Sequence, residues 1–138
     1  MLHGDDSLKR LIGKRVKGIL LDADEQHYLG FETDQGEVWF YAEGDCCSES
    51  WFADIINPGG VIGHQITDAR MMGALDLGES SRSRQGYDWW YGASIKSQGG
   101  ACLVAFRNSS NGYYGGELIE TKRPTDRALM NIVDDWAT

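Results

Sequence analysis

The sequence predicts an α+β domain of about six mainly antiparallel strands with two helices packed on the sheet. Three observations predict it. The run up to Tyr41 alternates apolar and polar side chains in short stretches parted by polar turns. Two later stretches, 46–56 and 125–136, space their apolar residues three and four apart, behind residues suited to cap a helix. The 138 residues include 18 glycines, about twice the usual share, as many tight turns require. No repeat or linker divides the chain, so residues 1–138 read as a single domain with a short flexible start over 1–7.

The first strand falls at 16–22, where Val16-Lys-Gly-Ile-Leu-Leu-Asp22 is β-rich, and a polar turn follows over 22–26. A second strand, 27–33, puts Leu29 and Phe31 on one face and Glu32 on the other. Asp34-Gln-Gly36 turns the chain into 37–41, where Val38 and Phe40 face one way and Trp39 and Tyr41 the other. Aromatic residues on both faces predict a strand covered from both sides.

The first helix is predicted over 46–56. Asp45 is its N-cap, Cys47, Trp51 and Ile55 recur every four residues, and Phe52 and Ile56 widen the stripe. Asn57-Pro-Gly-Gly60 ends it. A strand over 61–67 runs on toward Met72, and the polar residues of 73–86 make a mobile loop. Strands at 88–97, 101–107 and 113–121 follow, the last two joined by a turn over 108–112. Pro124 and Thr125 start a final helix with Ala128, Leu129, Ile132, Val133 and Trp136 on one face.

Charge narrows the function. There are 21 acidic against 13 basic side chains, a formal net charge of −8. Such a balance repels phosphate backbones, so direct DNA binding is not expected. No apolar run reaches the ~20 residues of a membrane-spanning helix, and the start lacks the basic and apolar regions of a signal peptide. Membrane partners are therefore not expected.

Cys46, Cys47 and Cys102 read as free thiols in a reducing cytoplasm. A zinc site from these thiols and His64 needs an unusual geometry, so no metal is expected. Thiol catalysis needs Cys46 or Cys47 beside His27 or His64, and no flanking sequence matches a cysteine-hydrolase signature. Glu43, Asp45 and Glu49 can converge for acid–base chemistry, but caps and solvated charge account for them. No P-loop, dinucleotide fingerprint or other cofactor motif occurs, and no cofactor or catalytic residue is assigned.

The aromatic runs are the more pointed feature. Trp89, Trp90 and Tyr91 lie on one predicted strand and Tyr113 and Tyr114 on another, with Arg107 and Asn111 near in sequence. One reading makes one face of these strands core and covers the other with the last helix, through Trp136. The rival reading makes the same residues an aromatic patch at a protein interface, or a stacking pocket for a base with arginine holding phosphate. Arg82 and Arg84 on the mobile loop can close over such a ligand.

The segment Leu11-Ile-Gly-Lys14, Phe31-Glu-Thr-Asp-Gln-Gly-Glu37 and Tyr41-Ala-Glu-Gly-Asp-Cys-Cys-Ser-Glu-Ser-Trp-Phe-Ala-Asp-Ile55 resembles a small uncharacterised domain family common in tailed bacteriophages and prophages. Its pattern is a sheet, then Asp-Cys-Cys, then a short helix ending in Asp-Ile. Asp45, Cys46, Cys47, Glu49, Asp54 and Ile55 carry it here, with Ile62-Gly63 after the helix. Residues 8–67 match well and 89–120 less so. Ser48 departs from the pattern, in which an acidic residue directly follows the cysteines.

The resemblance implies a phage or prophage origin and a bacterial cytoplasmic setting. The function expected is non-catalytic binding to a host component, most concretely inhibition of a bacterial defence system such as CRISPR. An acidic inhibitor can occupy a basic, nucleic-acid-binding surface of a host protein complex. Sequestration of a nucleotide-like signal is the alternative, and a small enzyme using 45–49 the second. Strands with exposed aromatic residues leave a homodimer open as well.

Overall fold

A computed structural model describes residues 4–43, 48–75, 87–110 and 117–137. Among the described residues, ten strands form two five-stranded sheets. They are β1 (Val16–Asp22), β2 (Tyr28–Thr33), β3 (Gly36–Glu43), β4 (Ser48–Ile56) and β5 (Ile66–Leu75), then β6 (Tyr87–Ser97), β7 (Gly100–Ser110), β8 (Glu117–Thr121), β9 (Leu129–Asn131) and β10 (Trp136–Ala137). The first sheet runs β8-β3-β2-β1-β9 and the second β10-β4-β7-β6-β5, paired antiparallel throughout. Among the described residues the only α-helix is α1 (Gly4–Leu8), followed at once by a 3₁₀ turn, Lys9–Leu11.

This overturns the α+β class with two packed helices: the protein is a mostly antiparallel β structure. The segment predicted as a helix over 46–56 is strand from Ser48 onward. Its register against β7 slips between Phe52 and Asp54, a β-bulge at Ala53. Phe52 and Ile55 both reach the main core, while Trp51 is fully buried in a separate cluster. A bulge puts one extra residue between core positions, so the apolar spacing becomes three and copies a helix. The predicted final helix is likewise replaced by β9 and β10, which edge the two sheets. Its apolar residues divide: Ile132 is in the core and Val133 is 58% exposed.

Elsewhere the alternation holds. Strand β1 has the predicted bounds, and β2 and β3 differ by one or two residues at their ends. Both faces of β3 are covered, with Phe40 and Trp39 buried. The strand predicted from 61 begins at Ile66, because Pro58–Gly60 forms a 3₁₀ turn that leads into further turn residues. Residues 108–110, predicted as turn, pair with both β4 and β6.

One core unites the sheets. Ile19, Leu21, Leu29, Phe31 and Phe40 from the first sheet join Phe52, Ile55, Ile95, Val104 and Phe106 from the second. The architecture is a sandwich. Strands β5, β6 and β7 form a meander and β4 returns beside β7, a Greek-key order. A backbone link joins the sheets at one corner: the Phe52 N–H on bulged β4 donates to Gln26 O in the β1–β2 turn (2.8 Å), beside which the Ala42 N–H of β3 donates to His27 O (3.1 Å) within the first sheet.

Candidate functional site

The register places predicted binding residues in one row across the second sheet. Trp90 pairs with Arg107, and Arg107 with Trp51. Two residues along β7, on the same face, the row is Asp54, Ala105, Gly92 and Met72, and two further along it is Ile56, Leu103, Ser94 and Arg70. Directly paired residues of an antiparallel sheet share a face, so Arg107 and Trp51 lie together. Both have no solvent exposure, and Trp51 clusters with Ala53 and Ala105. Asp54 lies close enough to feel the Arg107 charge. Burial pushes its carboxyl above the ordinary value, and the guanidinium opposes that push.

The sequence groups Arg107 with Trp89, Trp90 and Tyr91 only by nearness and gives no sign of Trp51, which the predicted helix over 46–56 puts elsewhere. Trp89 pairs with Asn108 and Tyr91 with Phe106. Asp45, Cys46, Cys47, Arg82, Arg84, Asn111, Tyr113 and Tyr114 lie outside the described residues. Glu49 lies on β4, paired with Ser109.

A second cluster, not foreseen in the sequence, stands at the β1–β2 turn. Asp22 ends β1 with no solvent exposure. Its Oδ1 accepts the N–H groups of Asp24 (2.9 Å) and Glu25 (3.4 Å). Its Oδ2 accepts the His27 N–H (3.1 Å) and Arg127 Nη1 (2.7 Å). Burial alone raises the carboxyl, but these donors outweigh it and hold the group below its ordinary value. The Asp22 hydrogen bond correspondingly raises the Arg127 pKa.

Arg127 then stacks outward. Its guanidinium carbon lies 5.2 Å from the Tyr28 ring centroid. Tyr28 is 5.1 Å from Tyr41, its cross-strand partner, and Tyr41 meets His27 edge-on at 6.0 Å. Tyr28, Tyr41 and His27 are half-buried, while Asp24, Glu25 and Asp126 are exposed beside them. Glu25 Oε2 lies 3.6 Å from His27 Nδ1. The tyrosine pair was within reach of the sequence: a two-residue turn at Asp34-Gln35 pairs Thr33 with Gly36 and so Tyr28 with Tyr41. Arg127 was not, since it joins them from the far end of the chain.

Among the described residues no group of three histidine, cysteine or acidic side chains is placed to hold a metal. Cys102 is buried in the core, and burial, with the nearby Asp135 charge, pushes its thiol up to about 12. No described helix is long and apolar enough to cross a membrane.

A family model described as a domain of unknown function, DUF7448, matches residues 9–119. The chain belongs to the DUF7448 family. No curated protein and no solved structure matches it. The DUF7448 match takes in Asp22, His27, Tyr28, Tyr41, Trp51, Trp90 and Arg107, whereas Arg127, β9 and β10 lie beyond it. The aromatic half of the turn cluster therefore belongs to the DUF7448 region, and its arginine comes from the segment that follows.

Proposed function

We propose that this DUF7448 protein is a non-catalytic binder of phage or prophage origin that docks on a basic surface of a host protein. Its most concrete target is a nucleic-acid-binding component of a bacterial defence system in the host cytoplasm. One observation carries the reading: the half-buried Tyr28, Tyr41 and His27, flanked by exposed Asp24, Glu25 and Asp126. Tyrosine faces receive lysine and arginine side chains through cation–π contact, and the acids supply the complementary rim. The net charge of −8 steers a basic partner toward the molecule. The phage setting rests on the Asp45-Cys46-Cys47 resemblance.

The test is capture from infected-host lysate by wild type and by Tyr28→Ala and Tyr41→Ala variants, followed by salt titration of the captured complex. The proposal expects a basic protein that both variants lose at least tenfold and that salt releases. Retention by both variants, or a complex indifferent to salt, refutes it. A second reading, retention of a nucleotide-like ligand, rests on the sequence grouping of Trp89, Trp90 and Tyr91 with Arg107. Small-molecule extraction of the purified protein distinguishes it, because a nucleotide lost with Arg107→Ala has no place in the first reading.

A further inference from the structure

Strands β8 and β9 edge the first sheet on opposite sides, so residues 122–128 carry the chain from one side to the other. They cross the outer face of that sheet. By alternation Glu37, Tyr28 and Asp22 point away from their core neighbours Val38, Leu29 and Leu21. Arg123 Nη1 lies 2.8 Å from Glu37 Oε2 on β3. Four residues on, Arg127 Nη1 lies 2.7 Å from Asp22 Oδ2 on β1, with its guanidinium over the Tyr28 ring on β2. The segment is a strap pinned by two arginines.

Between the pins lies an aromatic floor. Trp39 shares the outer face with Glu37, and its indole is laid over Gly30 of β2. It is only 2% exposed yet belongs to neither hydrophobic cluster, so it is covered from the outer side, where the strap runs. That cover has no root of its own. No residue of 122–128 is buried, and all but Pro124 and Arg127 are exposed. Helix α1 differs, because Leu8 roots it in the core. After the strap, core contact resumes at Met130 and Ile132. Lifting the strap breaks two ion pairs, the Tyr28 contact and the hydrogen bonds at Ala128, and it moves no core side chain.

A lifted strap leaves two carboxylates without their cations, one at each end of the floor, and bares the Tyr28 face. The strap displays what these groups bind: two guanidinium groups, four residues apart, on a non-helical chain. The Asp22 end selects guanidinium over ammonium, since one flat cation there both bonds the carboxylate and stacks on a ring. We infer that residues 122–128 are an autoinhibitory strap, and that the face beneath takes a partner's extended segment bearing two arginines in place of Arg123 and Arg127. This rests on the proposed function, whose basic partner it specifies. The floor lies within the DUF7448 match and the strap beyond it.

The probe is a synthetic peptide with the sequence of residues 121–129, titrated into the isotope-labelled full chain. Arg123→Ala unpins the exposed end of the strap. This variant should bind the peptide about tenfold more tightly than wild type, because closure of the strap taxes binding. The Trp39 indole N–H and Tyr28 signals should move on binding, and a peptide with alanine at both arginines should not bind. The Ile132 amide, bonded to Ile19 O (2.8 Å), should keep its wild-type exchange protection in the variant. Equal affinity of the two proteins, an unmoved Trp39 indole, or lost Ile132 protection would overturn the inference. Host capture separates it from the reading it rests on. A partner lost with Tyr28→Ala but held equally by Arg123→Ala and wild type removes the strap and leaves the proposed function. Peptide binding as expected, with no captured host protein, does the reverse.

Discussion

Arg127 Nη1 lies 2.7 Å from Oδ2 of Asp22, a carboxylate without solvent exposure, although the two residues are 105 positions apart. The pair fastens the segment after β8 to the β1–β2 turn. The Ala23 N–H donates to Ala128 O (2.9 Å) alongside it, and β9 pairs with β1 just beyond. The last stretch of the chain thus edges the first sheet through an ion pair as well as a ladder.

Acid stability should report this pair. The folded carboxyl of Asp22 titrates below its ordinary value. Its contribution is therefore complete above the unfolded-state value near 4 and is lost as pH falls through the lower folded value. Asp22→Asn should flatten the acid limb of stability against pH in urea unfolding. Asp22→Ala leaves a cation and three N–H donors without their acceptor, which costs about 3–5 kcal/mol at neutral pH. A neutral-pH loss below about 1 kcal/mol would show that the pair is not integral to the fold.

Gly30 should accept no side chain. A Cβ built there overlaps the indole ring of Trp39, its cross-strand partner. The indole cannot swing away freely, because its Nε1–H donates to Glu37 Oε1 (2.9 Å) and Arg123 holds the other Glu37 oxygen (2.8 Å). Gly30→Ala should cost about 1–3 kcal/mol by overpacking. Adding Trp39→Phe, which removes part of the obstructing ring, should recover some of that loss in a double-mutant cycle.

How far the sequence reached follows from the distance over which each signal acts. Strands β1 to β3 were legible because alternation and one short turn decide them locally, and even the Tyr28–Tyr41 pairing follows from that turn. Strand β4 was not, because the bulge at Ala53 spaces Phe52 and Ile55 three apart while Trp51 is buried in another cluster. A helix and a bulged strand buried on both faces leave the same trace. The end of the chain misled similarly: Leu129 and Met130 are half-buried on an edge strand and Ile132 fills the core between strands. Of the turn cluster, the Tyr28–Tyr41 pair was within reach, whereas Arg127, like the Trp51–Arg107 pairing, needed tertiary pairing.

The Cys102 thiol should be inert in the folded protein. With its pKa near about 12, roughly one thiol in ten thousand is ionised at pH 8, and it has no exposed surface. In a Cys46→Ser/Cys47→Ser protein, a thiol reagent should label nothing until denaturant is added and then label one equivalent. Fast labelling of the native variant would show that the core around Cys102 opens locally.

The corner that turns β4 toward β5 depends on Asn57 in two separable ways. Its backbone is left-handed, φ 59° and ψ 54°, a region that costs most side chains about 1 kcal/mol and asparagine or glycine less. Its side-chain Nδ2 also donates to Ala101 O (2.9 Å), tying the corner to β7, while its N–H donates to Asp135 Oδ1 (2.7 Å). Gly60 packs against both Asn57 Nδ2 and Ala101, so the corner has little room to adjust. Asn57→Gly keeps the conformation and loses only the side-chain bond, which should cost about 0.5–1.5 kcal/mol. Asn57→Ala loses the bond and adds the strain, so it should be the worse of the two by about 1 kcal/mol. Urea unfolding of the pair measures the difference. Equal losses would mean that the hydrogen bond to β7, and not the left-handed turn, sets the corner; a harmless Asn57→Gly with a costly Asn57→Ala would mean the reverse.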